Sequence, residues 1–175
     1  MKISTKFFVF AISLAGLTTS VNAQSTAFAT TTATLVEPIS ITNSAPLSFG
    51  SIATGTAGTV VLAPDGNVTD LAGLSVPSNG ISTSAASFNV TGAGTSGFTV
   101  SLPTSIILTS GIDELTVDTF QASNNIVGGV GTLAGGTSII TIGATLNVPA
   151  NAVAGSYTNT SNDIATGLFV TVNYN

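Results

Sequence analysis

Apolar and polar side chains alternate in short runs along most of this chain. In GLFVTVNYN, from Gly167 to Asn175, Leu168, Val170, Val172 and Tyr174 occupy every second position. Successive side chains of an extended strand point to opposite faces, so these four share one face and Phe169, Thr171 and Asn173 the other. The same two-residue period predicts strands over 29–36, 39–42, 47–52, 59–63, 87–91, 98–102, 106–109, 115–122, 138–148, 156–159 and 168–174. No stretch carries a helical period.

The punctuation agrees with that reading. Pro64-Asp65-Gly66 suits a tight turn, with proline setting φ and glycine taking the left-handed position, and Asn79-Gly80 is a similar reversal signal. Pro103 and Pro149 each follow an apolar run and close it. Many short strands separated by turn residues, rich in Thr, Val and Ile, predict an all-β sandwich or barrel. No change of composition marks a linker, so one domain is expected over 39–175.

The segment ahead of it, 24–38, reads QSTAFATTTATLVEP. It is free of glycine and ends at Pro38. Ala27, Ala29, Ala33 and Leu35 lie on one side of it when extended, Phe28 and Val36 on the other. An extended, β-branched arm of this kind suits either a first strand of the sandwich or a strand that leaves its own domain to complete another's open sheet edge.

Composition narrows the chemistry. Residues 1–23 have the form of a secretory signal peptide: Lys2 and Lys6, the short apolar run FFVFAISLAGL, and Val21-Asn22-Ala23 as the cleavage signature. The expectation is export through the periplasm to the cell surface or beyond, without a membrane span in the mature chain. Beyond residue 23 there is no Lys, Arg, His, Cys, Trp or Met, and the acids are Glu37, Asp65, Asp70, Asp113, Glu114, Asp118 and Asp163. Without a cation there is no phosphate clamp and no footprint for nucleic acid. Without His, Cys or Lys there is no Ser–His pair, thiolate or Schiff-base amine, so no enzyme and no cofactor are expected. An outer-membrane barrel would need girdles of Tyr and Trp, and the chain has two Tyr and no Trp.

Two acidic groups invite a sharper reading. DGNVTD places oxygen donors at Asp65, Asn67, Thr69 and Asp70, a loose likeness to the start of a calcium loop. It lacks the glycine and the bidentate glutamate such a loop requires, and a hairpin turn accounts for the same residues. Asp113, Glu114 and Asp118 could form a carboxylate pair for hydrolysis, but the simpler expectation is a solvated, aggregation-resisting edge. The sequons at Asn67, Asn89 and Asn159 are incidental in a chain this rich in Asn, Ser and Thr.

Several segments carry a family likeness. ATATLVEPISIT, LSFGSI, VVLAPDG, SAASFNVTG, GATLNVPANAVAGSYT and FVTVNYN together resemble a family of secreted bacterial domains of unknown function, over essentially the whole chain past residue 23. The N-terminal arm and the penultimate tyrosine also look like the major subunits of chaperone–usher fimbriae of the Mat or common-pilus type. That resemblance implies an immunoglobulin-like β-sandwich lacking one strand, filled first by a periplasmic chaperone and then by the arm of the next subunit at an outer-membrane usher. It implies a structural, adhesive fimbrial subunit that self-associates into a polymer. The assembly residues would be Ala29, Ala33 and Leu35 on the arm and Leu168, Val170, Val172, Tyr174 and Asn175 beside the groove, with the Asn175 carboxylate held by the chaperone. The chain departs from the fimbrial pattern at Asn162, where a glycine is expected, and in having no disulfide. The alternatives are a biofilm-matrix or surface-coat protein and a monomeric sandwich binding carbohydrate or calcium.

Overall fold

The computed structural model describes residues 24–77, 82–123, 125–159 and 167–175. Residues 1–23, expected to be a signal peptide, and Asn79-Gly80 and Asn162 lie outside them. The chain divides into two units, Met1–Thr34 and Leu35–Asn175. In the first, the described residues 24–34 are exposed and form no strand, so the strand expected over 29–36 is not present as one. Alternation sets which way side chains would face; a ladder also needs a partner strand.

The second unit is all-β, with ten strands among its described residues and no helix, hence none long and apolar enough to cross a membrane. β1 (Ser40–Ala45), β2 (Gly58–Leu62), β3 (Val68–Ala72), β4 (Ala86–Thr91), β6 (Ser105–Ser110), β7 (Asp113–Ala122) and β9 (Thr137–Val148) form a seven-stranded antiparallel sheet. β5 (Gly97–Ser101), β8 (Val130–Thr132) and β10 (Thr171–Tyr174) form a three-stranded one in the order β10-β5-β8.

β9 organises the larger sheet. Its twelve residues put Ile140, Ile142, Ala144, Leu146 and Val148 on the inner face. Ile142 pairs with Ala86 of β4 on one edge and Ala122 of β7 on the other, while Thr145 pairs with Val61 of β2 and Asp118 of β7. β4 and β2 therefore follow one another along the same edge of β9, and β7 runs along the opposite edge. Gly143 sits at the junction. A Cβ there would collide with the Leu62 carbonyl oxygen and stand 2.5 Å from the Ala63 carbonyl carbon and 2.8 Å from the Pro64 nitrogen, so only glycine lets the β2 end pass so close.

Turn chemistry is as the sequence predicts at Pro64-Asp65-Gly66: Gly66 has φ of 85° and its N–H donates to Ala63 O at 2.9 Å. β7 carries a bulge between Asp118 and Gln121, where Thr119 takes φ of 49°, an unfavourable conformation for a β-branched residue. Two strands arise where none is expected. β3 starts inside the DGNVTD stretch read as a turn and runs two residues beyond it, and β8 lies in the glycine-rich IVGGVGT. Conversely, 47–52 and 156–159 have a β-bridge each, Ser48 to Ser84 and Thr158 to Thr109, and no strand.

Two apolar cores result. The first joins Phe88 and Val90 of β4, Phe98 and Val100 of β5, Ile140 and Ile142 of β9 and Val172 of β10, sheet against sheet. The second gathers Val60, Leu62, Ile106, Leu115, Val117, Ala144, Leu146 and Val148 with Phe49. No residue of β5, β8 or β10 belongs to the second core. Three strands cover only part of the seven-stranded face, and the rest is roofed by loop residues.

Candidate assembly groove and arm root

Between the second half of the large sheet and the loop residues that roof it lies a groove of about 1080 Å³. Its floor is apolar: Ile106, Leu108, Leu115, Val117, Leu146 and Val148. One wall is the β1–β2 connection, with Leu47, Phe49 and Ile52; others are 152–159, with Tyr157, and 167–169, which leads into β10. Ser48 N donates to Ser84 O at 2.8 Å and Ser84 N returns a bond to Ser48 O at 2.9 Å, tying the first wall to the sheet. Tyr157 donates its hydroxyl to Val153 O at 2.8 Å and closes the second. Among the described residues no Asp or Glu lines the groove.

β10 itself does not line the groove, but the segment 167–169 that leads into it does, and among the described residues β10 has one strand neighbour, β5. Asn175 N donates to Gly97 O at 3.2 Å, so the backbone groups of the odd-numbered residues face β5. Those of Val172 and Tyr174 then point to the open edge, where an extended segment can add by main-chain hydrogen bonds. Of the residues expected to act in assembly, Leu168 is half-buried and lines the groove, Val170 is half-buried against the first core, and Val172 is buried in it. Asn175 is exposed. On the arm, Ala29 and Ala33 are exposed and Leu35 is 93% exposed.

Tyr174 does something the sequence did not announce. Its hydroxyl donates to Glu37 O at 2.7 Å and accepts from the Ala93 N–H at 2.6 Å. A Cβ at position 92 would collide with that hydroxyl, which accounts for Gly92. One phenol thus fastens the root of the arm to β10 and to the β4–β5 turn. Tyr174→Phe keeps the ring and removes both bonds, leaving the Ala93 N–H without its acceptor; the expected loss is about 1–3 kcal/mol. A urea titration checks it: a lower midpoint at unchanged slope is the expected outcome.

The remaining candidates are placed as follows. Asp65 accepts from Asn67 N at 3.0 Å and, through its other oxygen, from Asn67 Nδ2 at 2.9 Å. Both oxygens serve the turn, and the Asn67 backbone N–H, then its side-chain amide, hold the Asp65 carboxyl below its ordinary pKa. Asp70 lies exposed on β3 opposite Val61. Among the described residues no three potential metal ligands stand together. Asp113 and Glu114 pair with Ser110 and Thr109 along β7, and Asp118 accepts from Asn147 Nδ2 at 3.0 Å and Thr119 Oγ1 at 2.9 Å.

The model of a domain of unknown function, DUF4402, matches residues 39–174. The chain belongs to the DUF4402 family. The match begins one residue after Pro38, so this DUF4402 domain comprises all ten strands and the groove, and the arm precedes it. No curated protein and no solved structure matches the chain. The walls of the groove were not recognised as such from sequence; a usable signal was the set of large apolar residues, Leu47, Phe49, Ile52 and Tyr157, in segments interrupted by Gly50, Gly55 and Gly155.

Proposed function

We propose that this protein is a structural subunit of an exported surface polymer, in which the extended arm of one copy adds as a strand to β10 of the next and fills its groove. The observation that carries the reading is the pair of unmatched surfaces: an apolar groove of about 1080 Å³ lined by the segment that leads into β10, whose second edge has no strand partner among the described residues, and an exposed arm without charge over 24–36. Strand addition satisfies backbone groups by hydrogen bonds and apolar area by burial at the same time. The likeness to fimbrial subunits rests on the sequence segments; it would add a periplasmic chaperone and an usher that carry the open groove until assembly. The absence of Lys, Arg, Cys and Met beyond residue 23 suits a material exposed to proteases and oxidants.

The test removes residues 24–36. The full chain is expected to form polymers and the shortened chain to stay monomeric. A peptide of the arm sequence, added at about 100 times its Kd, is expected to stabilise the shortened chain by about 2.7 kcal/mol. Assembly of the shortened chain to the same extent as the full one would return the arm to an ordinary exposed tail and favour a monomeric or differently associated surface domain.

A further inference from the structure

Resting on that strand-donation reading, the geometry points to Phe28 as the side chain that anchors the arm of one copy in the groove of the next, with Phe28, Thr30 and Thr32 turned inward and Ala27, Ala29 and Ala33 turned out.

The root of the arm limits what can travel. Glu37 is bonded through its carbonyl to Tyr174 of its own domain. Leu35 is two residues from that bond and reaches at most about 7 Å from it; Phe28 is nine residues away and reaches about 30 Å when extended. Leu35 and Val36, though exposed, are therefore held near their own β10. Beyond them, the arm from Gln24 to Thr34 has one large apolar side chain, Phe28, and it is 98% exposed.

The groove asks for such a side chain. Its walls present Phe49, Tyr157 and Phe169 above a floor of branched aliphatics. Aromatic rings pack edge to face or offset against one another, and a ring inserted there meets partners on several sides. Methyl groups from Ala27, Ala29 and Ala33 would leave much of a space of about 1080 Å³ unfilled, and unfilled apolar space is costly. Thr30 and Thr32, on Phe28's side, still present a methyl each. Charge favours a second copy as the occupant. The arm 24–36 has no ionisable side chain and none of the described residues that line the groove is a carboxylate, while Glu37, Asp65, Asp70, Asp113, Glu114 and Asp118 lie elsewhere on the domain. Among the described residues, arm and groove are surfaces on which two acidic copies can meet without like-charge repulsion.

The experiment compares the full chain with Phe28→Asp, Ala29→Asp and Phe28→Leu at matched concentration, reading polymer yield by sedimentation and electron microscopy and the melting temperature of the monomeric fraction. Because 24–34 forms no strand and its residues are exposed, all three variants are expected to melt with the wild-type monomer. Phe28→Asp is expected to lower polymer yield about tenfold to a hundredfold, Ala29→Asp to leave it within about twofold, and Phe28→Leu to retain most of it. Loss with Ala29→Asp and not with Phe28→Asp reverses the side of the arm that faces inward and overturns the anchor while strand donation stands. Equal loss in both overturns one-sided seating. Normal assembly of both, or no polymer from the wild type, overturns strand donation itself. A wild-type monomer whose melting temperature falls on Phe28→Asp shows the arm seated in its own groove and overturns the second copy as host.

Discussion

Leu146→Asp is expected to abolish the folded state at neutral pH. Leu146 is 3% exposed on the inner face of β9, flanked in register by Val60 and Val117, each fully buried. The substitution forfeits about 1.5–3 kcal/mol of burial and places a carboxylate where no cation stands to neutralise it, a further several kcal/mol. Domain stabilities are typically about 5–15 kcal/mol, so the sum removes most or all of it. The pH dependence has a definite sign. Burial raises the folded-state pKa of the new acid above its unfolded value near 3.9, so the folded form binds the extra proton between the two. The penalty is smallest below the unfolded pKa and grows as pH rises toward the folded one. Circular dichroism at pH 3 and pH 7 checks both parts; equal folding at the two pH values would show that position 146 is reached by water.

Gly143→Val is the second large effect. The new Cβ meets only backbone of the β2 end and the turn after it, none of which can rotate aside as a side-chain tip could. β2 must separate from β9 there, at an expected cost of about 3 kcal/mol or more. Denaturant unfolding measures it. A parallel Gly94→Ala variant, where nothing lies within 4 Å but φ is 50°, is expected to lose only about 1–2 kcal/mol through backbone strain.

The outline of the fold was legible in the sequence because alternation is a local property. β2, β4, β5, β6, β7 and β9 each contain enough branched or aromatic residues at period two to stand out, and proline or glycine marks several of their ends. β3 and β8 did not stand out. VTDLA carries an aspartate at its centre, and VGT is too short and too close to three glycines to show a period. The opposite error, strands expected over 29–36, 47–52 and 156–159, has one cause: alternation reports which side of a segment is apolar, and only a partner elsewhere in the chain makes it a strand. Leu47, Phe49 and Tyr157 are apolar because they roof a core.

The groove was illegible for the same reason. Nothing in TSIITIGATLNV says that its first half will be covered by β5 and β10 and its second half by loops; that follows from pairings such as Ile140 with Phe88 and Val172 with Val100. The partners of Tyr174 are equally remote, Glu37 lying 137 residues away. The apolar face of the last strand was readable, its hydroxyl's task was not.

The continuity of β9 bears on how the domain comes apart. Ile140 and Ile142 belong to one core and Ala144, Leu146 and Val148 to the other, yet all five hang on a single unbroken strand bonded along both edges. Neither core can melt while the other persists, since releasing β9 from either half strips the other of its central ladder. The domain, for all that it has two cores, is therefore expected to unfold as one cooperative unit, with coincident loss of both cores.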